Sequence, residues 1–196
     1  VLFFLVLWRI RGLIRIVEFA RDRFEAAVER ERILRQAAAA LVAATDRDEI
    51  YEAVTYAAHA LGGLGALIRI AMVDRDRLTI VSASGVPENV TFDSMSFPPE
   101  AVGSMIPNKV TIASPEIAAL MRTSLRLDSD GDIRLTPLMI QGQTRGVMIV
   151  AGGRQESAGY GWLESLTSQL ALALERTALA EDLHTRKSEE RFRSLV

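Results

Sequence analysis

Residues 133–151 read IRLTPLMIQGQTRGVMIVA, and this stretch decides the fold. Two mainly apolar runs, 133–140 and 144–151, flank the polar segment Gln141-Gly142-Gln143. Two strand-like runs that are joined by a short loop containing glycine are typical of a β-hairpin. The sequence therefore predicts an antiparallel hairpin with a three-residue loop.

A second pair of strands lies upstream of this hairpin. Residues 66–73, ALIRIAMV, are almost continuously apolar, which is typical of a strand that is buried on both faces. A turn at 74–76 leads into a second strand at 77–84. Helices precede and follow these strands, beginning at the capping pair Asp46 and Glu49 and near Tyr160. We therefore expect an α+β fold, an antiparallel sheet backed by N- and C-terminal helices, with long helical extensions at both ends.

The last helix has two apolar sides. At about 100° per residue, one set of leucines falls on one side of the helix and a second set falls roughly opposite. The first set is Leu163, Leu166, Leu170 and Leu174, and the second is Leu172, Leu179 and Leu183. One side can cover the sheet, and the other needs a second partner, most simply the same helix of another copy. The sequence thus predicts a homodimer through the terminal helices.

The N-terminal residues suggest a membrane. The segment VLFFLVLW is too short to cross a bilayer, but Arg9, Arg11 and Arg15 follow it without an intervening acid. This pattern favours the end of a membrane helix at 1–11, with the rest of the chain attached to the inner (cell) membrane on its cytoplasmic side. The alternative is an N-terminal helix that packs its apolar end on the domain.

A heptad pattern follows this segment. Apolar residues recur at two positions of a seven-residue repeat up to Leu41, with Glu31 as a charged interruption that weakens the seam. Such spacing favours a coiled coil, here assigned to 12–32, over a single amphipathic helix lying on the domain. The seam includes Leu13, Val17, Phe24 and Leu34.

The composition excludes several kinds of chemistry. The 196 residues contain no cysteine, which excludes disulfides, thiolate metal sites and cysteine nucleophiles. The net charge of −2 argues against a nucleic-acid partner. Asp128, Asp130 and Asp132 lack the spacing of a calcium loop. We expect no metal site and no catalytic residue.

This order of elements resembles a GAF domain, the small-molecule sensor module of bacterial signalling proteins. The segments that carry the resemblance are RLTIVSASGVPE (77–88), TPLMIQGQTRGVMIVAG (136–152) and WLESLTSQLALALERTAL (162–179), and the resemblance covers 33–179. Separately, SEERFRSLV (188–196) is similar to the opening of a PAS domain, so 180–196 would be a helical linker into that domain.

The resemblance implies a small-molecule pocket between the sheet and the irregular segment 86–132. A covalent bilin, an iron–sulfur cluster and sulfoxide-reductase chemistry each need cysteine, and His59 and His184 are poorly placed for haem, so no cofactor is expected. Arg69 interrupts an apolar strand, and it either pairs internally or contacts an anionic ligand. Arg134 and Thr136 share a strand face and would line the same cavity.

The sequence therefore predicts a noncatalytic sensory module of a membrane-anchored bacterial signalling protein. It would bind an unknown small molecule noncovalently and relay the change through dimeric helices. The output domain would be of the cyclic di-GMP type (diguanylate cyclase or phosphodiesterase) or a histidine kinase. Two alternatives remain open: a ligand-free dimerisation spacer with a vestigial pocket, and an enzyme of unknown type.

Overall fold

A computed structural model gives the fold of the chain. It describes residues 2–74, 77–85, 92, 95–96, 105–127, 129, 131–153 and 160–193; for 2–10, 12–14, 16, 95 and 188–193 it describes the backbone alone. The helices are α1 (Leu2–Ala43), α2 (Arg47–Gly62), α3 (Pro115–Leu125) and α4 (Gly161–Arg193). The strands are β1 (Leu67–Asp74), β2 (Arg77–Ser84), β3 (Met95–Ser96), β4 (Thr111–Ile112), β5 (Ile133–Ile140) and β6 (Gln143–Ala151).

The six strands form one antiparallel sheet in the order β3-β2-β1-β6-β5-β4. The predicted α+β architecture, with helices from both chain ends against the sheet, is confirmed. The hairpin loop is shorter than predicted, because Gln143 pairs with Ile140 and leaves a two-residue turn. Gln141 and Gly142 have φ angles of 51° and 73°, as a two-residue turn of type I′ requires.

Alternation along the strands gives the sheet two apolar faces. One face packs against α1, α2 and α4, and its fully buried side chains include Ile68, Ile70 and Leu138. The opposite face packs against α3 through residues such as Ala71, Leu135 and Ile149. The sheet is therefore the central layer between two unequal helical layers.

Side chains cap the N-termini of α2 and α3, and the cap predicted at Asp46 is observed. Asp46 Oδ1 accepts a hydrogen bond from the backbone N–H of Glu49 at 2.9 Å. The Glu49 carboxylate in turn accepts the N–H of Thr45 at 2.7 Å, one residue further back than a standard capping box. Ser114 caps α3, with Pro115 as its first residue.

Helix α1 is a single long helix whose surroundings change along its length. Leu34 packs against the core and Leu41 is buried, so the end of α1 belongs to the domain. Val17 and Phe24 are 64% and 70% exposed. The side chain of Leu13 lies outside the described residues. Pairing of the exposed part as a coiled coil stays a prediction. Among the described residues, no helix combines the length and the hydropathy that are needed to cross a membrane.

The two apolar sides predicted for α4 are present. Leu163, Leu166, Leu170 and Leu174 are buried against the sheet. Leu172, Leu179 and Leu183 are 68%, 59% and 59% exposed. A leucine stripe of this kind has no partner within the described part of this chain, although residues 154–159 and 194–196 lie outside it.

Candidate functional site

The side chain of Arg69 is fully buried and is held by backbone carbonyl groups. Its guanidinium donates to the carbonyl oxygens of Leu125 (3.2 Å) and Arg126 (3.3 Å), and to those of Ile68 and Ser84 (both 2.7 Å). Leu125 ends α3, so the positive charge lies at the negative end of this helix. Arg69 therefore joins β1, β2 and α3 on one face of the sheet.

The charge of Arg69 is balanced without a carboxylate among these contacts. The guanidinium also lies over the ring of Phe92, 5.1 Å from its centroid. Burial lowers the pKa of Arg69 to about 10, so the side chain stays protonated at neutral pH. One alternative from the sequence was that Arg69 pairs with a group inside the protein. The observed contacts resemble this alternative, except that backbone carbonyl groups take the place of an acidic side chain.

Arg134 and Thr136 lie on the other face of the sheet. Arg69 pairs with Ile149 of β6, and Ile149 pairs with Leu135 of β5. Residues that are paired directly across a sheet point to the same side, so Leu135, rather than Arg134, shares the face of Arg69. The prediction that all three polar residues line one cavity is therefore wrong. Alternation within a single strand was predicted correctly, but the register across three strands was not available from the sequence.

Arg134 is buried beside the start of α4. Its guanidinium lies 4.0 Å from the ring centroid of Tyr160, the residue before α4. It is 3.8 Å from the carboxylate of the half-exposed Asp132. Among the described residues, the buried Arg134 Nε and Thr136 Oγ1 have no hydrogen-bond partner. The contact with Tyr160 makes Arg134 a link between β5 and the first turn of α4.

The predicted pocket region is only partly described. Most of 86–104 lies outside the described residues. Met105 is buried, whereas Ile106 is 59% exposed. The described part of this face is filled by apolar side chains, with Met121, Leu125 and Leu127 fully buried. A ligand role for this face stays a prediction.

The other sequence candidates do not form a site. His59 and His184 are both exposed and lie on different helices, α2 and α4. Asp132 is exposed, and Asp128 and Asp130 lie outside the described residues. Within the described ranges, no three acidic or histidine side chains are placed to bind a metal ion.

The junction between α1 and α4 was not foreseen. Arg176 of α4 donates to the carbonyl oxygens of Leu41 (2.8 Å), Val42 (3.2 Å) and Ala44 (3.3 Å). The last carbonyl groups of a helix have no partner within the helix, and a guanidinium can satisfy several of them. Arg176 is therefore the C-terminal cap of α1, supplied by a residue more than 130 positions away.

A shallow groove of about 180 Å³ separates the two helices beside this cap. Arg176 contacts the end of α1, whereas Gln169 and Leu172, one to two turns earlier on α4, line the groove with Ala38. Helices α1 and α4 therefore run in the same direction. The exposed part of α1 and the C-terminal half of α4 consequently project from opposite ends of the helical layer.

Charged side chains connect α4 to three further segments. Glu164 accepts the N–H of Val110 at 3.2 Å, ahead of β4. Glu175 accepts the N–H of Gln141, in the β5–β6 turn, at 2.5 Å. Glu181 pairs with Arg47, at the start of α2, at 2.6 Å. A displacement of α4 would disturb all of these contacts together with the cap on α1.

Comparison with solved structures places this arrangement among known folds. A methyl-accepting chemotaxis protein is 16% identical, with a TM-score of 0.59 over 74% of this chain and 98% of that one. The phycoerythrobilin-bound GAF domain of a cyanobacterial phytochrome is 14% identical, with a TM-score of 0.59 over 79% and 99%. Free methionine-R-sulfoxide reductase from Neisseria meningitidis is 16% identical, with a TM-score of 0.60 over 80% and 93%.

These likenesses identify the fold as that of GAF domains. No protein-family model and no curated protein matches the sequence.

Proposed function

We propose that the chain is a noncatalytic GAF module that binds a small molecule noncovalently and relays the change through dimeric helices, from an incoming helix, α1, to an outgoing helix, α4, in a membrane-anchored bacterial signalling protein. The observation that carries the proposal is the cap that Arg176 places on α1. A helix end that is held by the neighbouring helix cannot rotate or shift without moving its partner or losing three hydrogen bonds.

The opposite projection of the two helices supports the same function. Input arriving along α1 and output leaving along α4 would act at the two ends of one helical layer, with the sheet as the rigid support. The downstream partner would be an output domain, of the cyclic di-GMP or histidine-kinase type. An input can shift the equilibrium between two helix arrangements only by as much as its interaction free energy differs between them.

The Arg176→Ala variant tests the coupling. Losing the cap should raise amide hydrogen exchange about tenfold, both in the last turn of α1 and in α4 beyond residue 176, because each segment loses its tie to the other. Hydrogen exchange read by mass spectrometry checks this result. The matched control is Arg186→Ala, which removes only an exposed ion pair with Asp182 of the same helix and should leave α1 unchanged. An effect confined to α1 would mean that Arg176 caps the helix without coupling it.

A second candidate is favoured by the closely filled face under α3. In this alternative, the domain is a dimerising spacer that binds no ligand, and the carbonyl contacts of Arg69 serve only the fold. A thermal-shift screen with small anionic and apolar metabolites separates the two candidates. Saturable stabilisation of several degrees by one compound supports a sensor, since a ligand at about 100 times its Kd adds about 2.7 kcal/mol. A melting temperature that no compound in the screen changes supports the spacer.

A further inference from the structure

A separate recess lies between α2 and β2, on the helical side of the sheet. Its volume is about 420 Å³, which is within the range of small-molecule sites. Ser82 lines it and pairs with Ile70 of β1, whose side chain is buried under the helices. Arg69 precedes Ile70 in the strand and points to the other side. The recess is therefore on the face opposite Arg69 and α3, away from the pocket that the resemblance to GAF domains implies.

Hydroxyl groups line the deepest part of this recess. The side-chain oxygens of Thr55 and Ser82 are 2.6 Å apart and share one hydrogen bond, so the pair keeps lone pairs for a further donor. Tyr51 is only 7% exposed, and its hydroxyl group has no hydrogen-bond partner within the described part of the chain. Burial raises the pKa of Tyr51, so this hydroxyl group stays neutral at physiological pH. A side chain that is nine-tenths buried and still unpaired is placed to accept a hydrogen bond from a ligand in the recess.

The rim of the recess is negatively charged. Asp48 and Glu52 line it, and because they are four residues apart on α2 their side chains lie on the same side of the helix. None of the described residues that line the recess is a lysine or an arginine. Arg47, at the start of α2, is paired with Glu181 instead. Two carboxylates without a cation in the same lining attract a ligand that carries positive charge.

The wall of the recess is partly apolar. The ring of Tyr56 is 78% exposed, and Val81 on the β2 side is 37% exposed. An aromatic ring attracts a cation to its face, and apolar side chains pack against methylene groups. Carboxylates at the rim, hydroxyl oxygens below and an apolar wall together fit an organic cation with a short hydrocarbon chain.

We infer that this recess binds a small aliphatic diamine. One ammonium group lies between the carboxylates of Asp48 and Glu52, and the other donates hydrogen bonds to the hydroxyl group of Tyr51 and to the Thr55–Ser82 pair. The two positive charges of the ligand balance the two carboxylates, and a primary ammonium brings three N–H donors to a lining that offers mainly oxygen acceptors. Because the recess lies on the other face of the sheet, this inference goes beyond the proposed function and does not depend on it.

An NMR titration of the isotope-labelled 196-residue chain with 1,4-diaminobutane, in low-salt buffer, tests the inference. We expect saturable shifts of backbone amides in α2 and β2. Glu52→Gln should raise the Kd about tenfold, because it removes a charge-assisted hydrogen bond at an exposed position where folding is not at risk. Tyr51→Phe keeps the ring and loses only the hydroxyl group, and should raise the Kd about fivefold. The matched control is Glu116→Gln, which removes an exposed carboxylate from α3 and should leave the Kd unchanged.

Two further probes separate charge from shape. Butane-1,4-diol has the same length without charge and should not bind, and tetramethylammonium has charge without an N–H donor and should bind at least tenfold more weakly than the diamine. The inference is overturned if the diamine gives no saturable shifts in α2 and β2, if the diol binds equally well, or if Glu52→Gln and Glu116→Gln have the same Kd. The Arg176→Ala exchange experiment and the screen with anionic and apolar compounds test other parts of the molecule, so failure of the proposed function would be seen separately.

Discussion

Replacing Arg69 with methionine will lower the free energy of unfolding by about 3 kcal/mol. Methionine keeps most of the aliphatic volume but donates no hydrogen bond, so the carbonyl groups of Leu125, Arg126 and Ser84 lose their donor in a buried setting. The end of α3 also loses the positive charge that offsets its dipole. Chemical denaturation followed by circular dichroism measures the change.

Two further variants define this effect. Arg69→Lys should fall between wild type and Arg69→Met, because an ammonium retains the charge but lacks the planar fork that reaches several carbonyl groups. Arg145→Met removes an exposed arginine from the same sheet and should change stability by less than about 0.5 kcal/mol. If Arg69→Met and Arg145→Met changed the free energy of unfolding equally, the carbonyl contacts of Arg69 would not stabilise the fold.

The Gly153→Ala variant should lose about 3 kcal/mol, for two separate reasons. Gly153 has a φ angle of +81°, which costs an alanine about 1–2 kcal/mol. Its added Cβ would also lie 2.5 Å from the carbonyl oxygen of Gly62 at the end of α2, so the backbone would have to move. The contact fixes the exit of β6 against α2.

Gly142→Ala is the matched control for Gly153→Ala. Gly142 has a similar φ of +73°, but nothing lies within 4 Å of an added Cβ. Denaturation of both variants therefore separates the conformational cost, expected to be about 1 kcal/mol, from the cost of the close approach. Equal losses in the two variants would contradict the packing of β6 on α2.

Features that depend on neighbouring residues could be predicted from the sequence. The cap at Asp46 and the two leucine sets of α4 each arise within a few turns of helix, where spacing determines which side chains meet. The turn at Gln141 was placed correctly, although its length was wrong by one residue, because a glutamine with positive φ is not signalled by its type.

Features that depend on distant pairing could not be predicted. Arg69 and Arg134 lie on opposite faces of the sheet because of how β1 and β5 are each paired with β6. A shift of one residue in either pairing would have placed both side chains on the same face. The cap from Arg176 to Leu41 joins residues 135 positions apart. The one local signal for it was that α1 ends at Ala43 without a glycine to terminate it.

The relay from α1 to α4 is tested most directly by forcing α1 to rotate. A rigid two-stranded coiled coil is fused ahead of residue 17 in a series of fusion proteins, in which each further inserted residue rotates the helix by about 100°. Spin labels on His184→Cys then report the distance between the two α4 helices. The account predicts a distance that varies with the helical period and becomes constant in Arg176→Ala. A constant distance in the series with Arg176 intact would contradict it.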